Sequence, residues 1–132
     1  MLGEMIGEFK GKIIGMRVLS VECCPKMESS FRDAGKILDI DLTNIGTFCS
    51  IFKDDGGIYG EGQGILTNSD GDIVTWTGQG IGKIKGKGAE YRGSVFFTTS
   101  SNKLDSLNNM MGVFKYSIDD DGETHEKIWE WK

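Results

Sequence analysis

Glycine spacing constrains this chain more than any other feature: twelve of its 20 glycines lie between Gly56 and Gly93, many of them two residues apart. Two is the period of a strand face, so Gly60, Gly62 and Gly64 share one face, Gly78, Gly80 and Gly82 a second, and Gly86 and Gly88 a third. Each glycine inside a strand costs roughly 0.5–1 kcal/mol relative to Ala, so its repetition signals tight curvature or close approach to the backbone. A small closed barrel meets both demands. Gly3, Gly7, Gly11 and Gly15 continue the pattern at the N-terminus, sharing a face with Met5, Phe9, Ile13, Arg17 and Leu19. Alternating small and large residues in this way suits a tapered barrel interior. A membrane helix with a small-residue face is excluded by Glu4, Glu8, Lys10 and Lys12.

Three acidic-glycine clusters, Asp54 to Gly57, Asn68 to Asp72 and Asp119 to Gly122, are hairpin signals. Around them, β-branched and aromatic runs define eight strands at about 4–21, 27–41, 44–53, 57–67, 72–84, 88–99, 111–118 and 123–131. The predicted fold is all-β: an eight-stranded antiparallel meander closed into a small barrel, one domain over residues 1–132. The length of the first two strands predicts a bulge or bend near Gly15 and another near Gly35. Leu104, Leu107 and Met111 recur at helical spacing, with Ser100 or Ser101 to cap the start and Gly112 to end it. This predicts one short helix near residues 101–110, plugging one mouth of the barrel and leaving the other for a ligand.

The net charge of −5 opposes phosphate backbones and anionic membranes, so neither nucleic acid nor a membrane is an expected partner. The charged N-terminal stretch fits neither a signal peptide nor a spanning helix, and the expected location is cytoplasmic. Cys23, Cys24 and Cys49 form no disulfide framework. Adjacent Cys23 and Cys24 lack the spacing structural zinc favours, and one His leaves few nitrogen ligands, so no metal is expected. No cofactor is expected either: GEGQG at 60–64 and GQGIGKIKGKG at 78–88 lack the nucleotide-loop spacing. Alternate Lys83, Lys85 and Lys87 read as a solvated face, and the Asp119–Asp121 cluster lacks the ligand order of a calcium loop.

Trp76 shares parity with Val74 and the three glycines that follow it, so its ring is placed over the space those glycines leave open. Phe48, Phe52, Trp76, Phe97, Tyr116 and Trp129 are the expected grip on a small apolar ligand in the interior. An isomerase or cyclase is the alternative. It would draw on Glu61 or Arg17 as its buried polar group, although Glu61, Gln63, Thr75, Thr77 and Gln79 fall on the expected outer face. A third reading is a non-catalytic interaction module. The strand around 44–53 is apolar on both faces, which predicts a homo-oligomer through Ile45 and Ile51.

From about Gly56 onward, GEGQG, Trp76, GQGIGKIKGKG and the YRGSVFFTTS strand at 91–100 resemble the calycin-type barrels related to allene oxide cyclase and its prokaryotic relatives. The resemblance implies an eight-stranded barrel, often oligomeric, with a lipid-sized or otherwise apolar cavity. None of that family's catalytic residues can be placed on this chain, so no activity follows from it.

Overall fold

A computed structural model describes residues 1–132 as a closed barrel of eight antiparallel strands in sequence order. The strands are β1 (Leu2–Ser20), β2 (Lys26–Ile37), β3 (Ile40–Phe52), β4 (Gly57–Thr67), β5 (Ile73–Lys85), β6 (Gly88–Thr99), β7 (Met111–Ile118) and β8 (Glu123–Trp131). β1 closes the ring by pairing with both β2 and β8. The meander and the closure are therefore as the glycine pattern and the turns predict.

Gly56, Gly71 and Gly122 hold positive φ in the three acidic-glycine turns, the left-handed conformation those turns need. The β2–β3 hairpin was harder to read. It reverses through Leu38 and Asp39, both at positive φ, so that Ile37 pairs with Ile40. Leu rarely adopts that conformation, and the expected break falls several residues too late as a result.

Of four register shifts in β1, two bound its inward-facing stretch. Met5 pairs with Trp129 whereas Gly7 pairs with Ile128, and Ile13 pairs with Phe31 whereas Gly15 pairs with Ser30. Each inserts one residue and turns the chain by one face. Only Gly7, Phe9, Gly11 and Ile13 keep the predicted inward direction, while Met5, Arg17 and Leu19 are exposed. The bulge near Gly15 is present. The one expected near Gly35 is absent, since pairing runs without a break through that residue on both sides. Gly35 serves close packing instead, because a Cβ there would lie 1.9 Å from the Glu8 carbonyl oxygen. Its missing side chain allows β1 to coil closely over β2.

The segment between β6 and β7 forms a 3-10 helix, Asn102–Asn109, rather than an α-helix. Leu104 and Leu107 are completely buried by it and close one mouth, packing on Phe9, Ile37, Leu42, Leu66, Val74 and Phe97. Asp72 fastens this plug: it accepts hydrogen bonds from Ser101 Oγ at 2.7 Å and Asn68 Nδ2 at 2.9 Å, with Lys103 Nζ at 3.1 Å. These donors hold its carboxyl down to about 2. Gly112 does not end the helix but faces inward from β7, and Met111 is exposed.

Candidate functional site

Strand alternation turns the glycine run into a bare inner wall. Gly60, Gly62 and Gly64 of β4 face Gly80, Gly78 and Trp76 of β5. No side chain from either run enters the barrel except the Trp76 indole, which lies over Gly64 and, one strand further, Gly46. Its Nε1–H donates to Asn44 Oδ1 at 2.9 Å, fixing the ring's position.

Aromatic rings fill the mouth opposite the helix. Phe31 lies 5.3 Å from Tyr116, 5.9 Å from Phe48 and 6.1 Å from Trp76, and Phe48 lies 5.6 Å from Tyr91. Tyr91 is tied down by Ser50, hydroxyl to hydroxyl at 3.0 Å. Between this cluster and the helix plug remains a chamber of about 60 Å³, bounded by Phe9, Phe48, Trp76, Phe97, Tyr116 and Glu126 among others. An engineered apolar cavity that takes benzene measures ~150 Å³. The chamber is thus compact, and a lipid chain does not fit unless rings move.

Of the expected ligand-gripping residues, Phe48, Trp76, Phe97 and Tyr116 border the chamber. Phe52 packs against the aromatic cluster instead and lies outside the lining. Trp129 does not belong to the interior. Its neighbour Ile128 is the buried residue, opposite Phe114, so alternation turns Trp129 outward beside Val113 and Met5. Of the candidate acid-base residues, Glu61 adjoins the chamber at the bare glycine wall but is solvated, and Arg17 lies outside it. Glu61 is exposed and accepts a hydrogen bond from Tyr59 at 3.0 Å, and exposed Arg17 pairs with Glu28 at 3.4 Å.

Two other acids face the interior. Asp33, on the inner face of β2, is 3% exposed, and its carboxyl has no hydrogen bond of good geometry, only its register partner Asn44 beside it. Burial raises it to about 6, partly offset by the neighbouring Asn44 amide. Glu126, on the inner face of β8, borders the chamber and is pushed up to about 8 by burial and then by the charge of Asp33. Tyr116 Oη and Thr124 Oγ1 are buried beside them, also without partners, and the Tyr116 hydroxyl is raised by burial and by both carboxylates. Gly11 makes this grouping possible, since it sits between Asp33 and Thr124 in register and contributes no side chain.

The sequence held a signal for both residues. Asp33 has the parity of Phe31 and Ile37, and Glu126 that of Ile128. The second is masked in the sequence because β8 carries large apolar residues on both faces, Ile128 on one and Trp129 on the other.

No protein-family model and no curated protein matches this chain. Solved structures do share the fold. A protein of unknown function from Clostridium acetobutylicum superposes with a TM-score of 0.84 at 13% identity, covering 98% of both chains. A beta-barrel-like protein from Acinetobacter baumannii gives 0.83 at 12% identity, over 100% of this chain and 96% of the other. An enzyme from Penicillium herquei gives 0.74 at 19% identity, over 96% and 92%. These likenesses establish a barrel of this general kind; none of the three is named as an allene oxide cyclase.

Proposed function

We propose that the barrel binds a small, largely apolar molecule in the chamber between its ring cluster and its helix plug. The carrying observation is the chamber itself: the wall of bare glycine backbone leaves space that Phe9, Phe48, Trp76 and Phe97 line but do not fill. Its volume of about 60 Å³ sets the size of the occupant to a few heavy atoms. An isomerase or cyclase using Glu61 or Arg17 loses its support, since both side chains are solvated. Native mass spectrometry of protein purified without added ligand, compared with its denatured mass, is the test. Expected is an adduct below the size of a lipid, released on denaturation. Bare protein that also takes up none of a panel of small organic probes would overturn the reading.

A second reading concerns association through the outer face of β3. Ile45 and Ile65 are register partners on adjacent strands, 45% and 47% exposed, and together make an apolar patch on the outer wall. Ile51, half-buried, lies further along the same face. On this reading the protein is a homo-oligomer, and Ile45→Asp converts it to monomer by gel filtration and sedimentation. An unchanged elution position would remove β3 from the interface.

A further inference from the structure

The interior is chemically one-sided. Its unpartnered polar atoms are Asp33 Oδ1 and Oδ2, Tyr116 Oη and Thr124 Oγ1, with the Glu126 carboxyl at the chamber wall beside them. No positive charge of the chain compensates them. Every Lys and Arg is exposed except Lys127, which is half-buried and alternates with the inward-facing Glu126 and Ile128, so its side chain leaves by the outer face. The one His is also outside, its Nε2 at 2.5 Å from Glu8 Oε2.

A buried carboxyl with no donor beside it but the Asn44 amide is a costly arrangement for a fold to hold, and such groups in native structures call for a partner. Water alone would supply donors but no charge. Ca²⁺ and Mg²⁺ take six or more ligands, mostly oxygen, in a polar shell, whereas the chamber that Glu126 borders is lined mainly by apolar and aromatic side chains, among them Phe9, Phe31, Phe48 and Trp76. Aromatic faces with a nearby carboxylate favour an organic cation, whose charge meets the carboxylate while its apolar part meets the rings.

Resting on the reading of the chamber as a binding site, the geometry points to a small protonated amine as its occupant, the ammonium on the Glu126 carboxyl and the Tyr116 hydroxyl, with buried Asp33 as a second charge outside the lining, and the alkyl part toward Phe48 and Trp76. An ammonium has three donors and no acceptor. The polar groups of this cluster that border the chamber, the Glu126 carboxyl and the Tyr116 hydroxyl, are both able to accept. Charge also balances: with Asp33 raised to about 6 and Glu126 to about 8, the pair retains about one proton near neutral pH and carries about one negative charge. Binding an amine cation lowers the affinity of both carboxyls for that proton.

The three tryptophans give the experiment an internal control. In ¹H–¹⁵N spectra the Trp76 indole resonance reports the chamber, while Trp129 and outward Trp131 report the outer wall. Isopropylammonium, isopropanol and acetate, alike in size and different in charge, are titrated into the protein near pH 7, and the Trp76 resonance is assigned with Trp76→Phe. Expected is a saturable shift of the Trp76 signal with isopropylammonium, weaker by about tenfold or more with isopropanol, and absent with acetate. Glu126→Gln weakens the amine by about tenfold or more, Asp33→Asn weakens it by less, and both leave isopropanol within about threefold. Equal binding of isopropanol and isopropylammonium, or amine binding that both variants retain, overturns the cation assignment and keeps the chamber as an apolar site. A Trp76 signal that none of the three probes moves overturns the cation assignment and the chamber together. Dispersed indole signals in both variants show that they are folded.

Discussion

Glu126→Gln is expected to stabilise the barrel by about 3 kcal/mol near pH 8 and to leave its stability near pH 4 almost unchanged. In the unfolded chain this carboxyl titrates near 4.5; in the barrel, burial and the Asp33 charge hold its proton up to about 8. Below the lower value both states carry the proton, and the folded state is not penalised. As pH rises, the unfolded chain releases its proton first, so stability falls across the window from about 4.5 to about 8 and levels off above it. Asp33, raised from 3.8 to about 6, adds a loss of the same sign in the lower part of that window. Each pH unit between the folded and unfolded values corresponds to about 1.4 kcal/mol. The figure of about 3 is set below the full difference because Glu126 borders the chamber rather than solid protein. Asp72 works in the opposite sense: held down to about 2 by Ser101, Asn68 and Lys103, it contributes stability that is lost below about pH 4. Wild-type stability should therefore peak near pH 4 to 5 and decline toward pH 8. Chemical denaturation of wild type and Glu126→Gln across this range is the measurement. Parallel curves with no convergence at low pH would show that Glu126 titrates as an ordinary surface carboxyl.

Gly64→Ala is expected to cost about 3 kcal/mol or more, far above the usual effect of adding one methyl to a strand. A Cβ at this position would lie 2.4 to 2.6 Å from Trp76 Nε1, Cε2 and Cζ2. The indole has no room to retreat. A Cβ at Gly46 would likewise lie 2.7 Å from its Cζ2, Phe31 packs against it, and its Nε1–H is bound to Asn44. Moving the ring breaks that hydrogen bond and leaves the buried Asn44 oxygen without a donor, itself worth about 1–3 kcal/mol. Positions 64 and 76 are therefore coupled. With Trp76 already reduced to Leu, the methyl at position 64 meets open space, and Gly64→Ala should then cost less than about 1 kcal/mol. Denaturant unfolding of both single variants and the double variant completes the cycle. Additive costs would mean that the ring does not rest on Gly64.

These two residues show where the sequence was legible. The two-residue glycine period and the acidic-glycine turns were enough for strand number, order and closure, because both are local properties of a chain that must coil tightly and reverse often. Leu104 and Leu107 also announced the plug by their spacing alone. That Trp76 points inward among glycines was readable for the same reason, but the glycines its ring covers, Gly64 and Gly46, belong to neighbouring strands and not to its own.

Parity was not local. In β1 it depends on inserted residues near Ile6 and Gly15, which bound the inward run from Gly7 to Ile13; beyond Gly15 the strand is exposed on both faces, Met16 and Val18 as well as Arg17. In β8 both faces carry large apolar residues, and only the pairing of Ile128 with Phe114 shows which of them is the core. That pairing turns Trp129 outward and Glu126 inward. The barrel itself is written in the chain residue by residue, since curvature, turns and alternation are all short-range. What the barrel encloses is set by the folded arrangement, because an interior is assembled from the facing sides of eight strands, and a one-residue shift in any of them exchanges a ring for a charge.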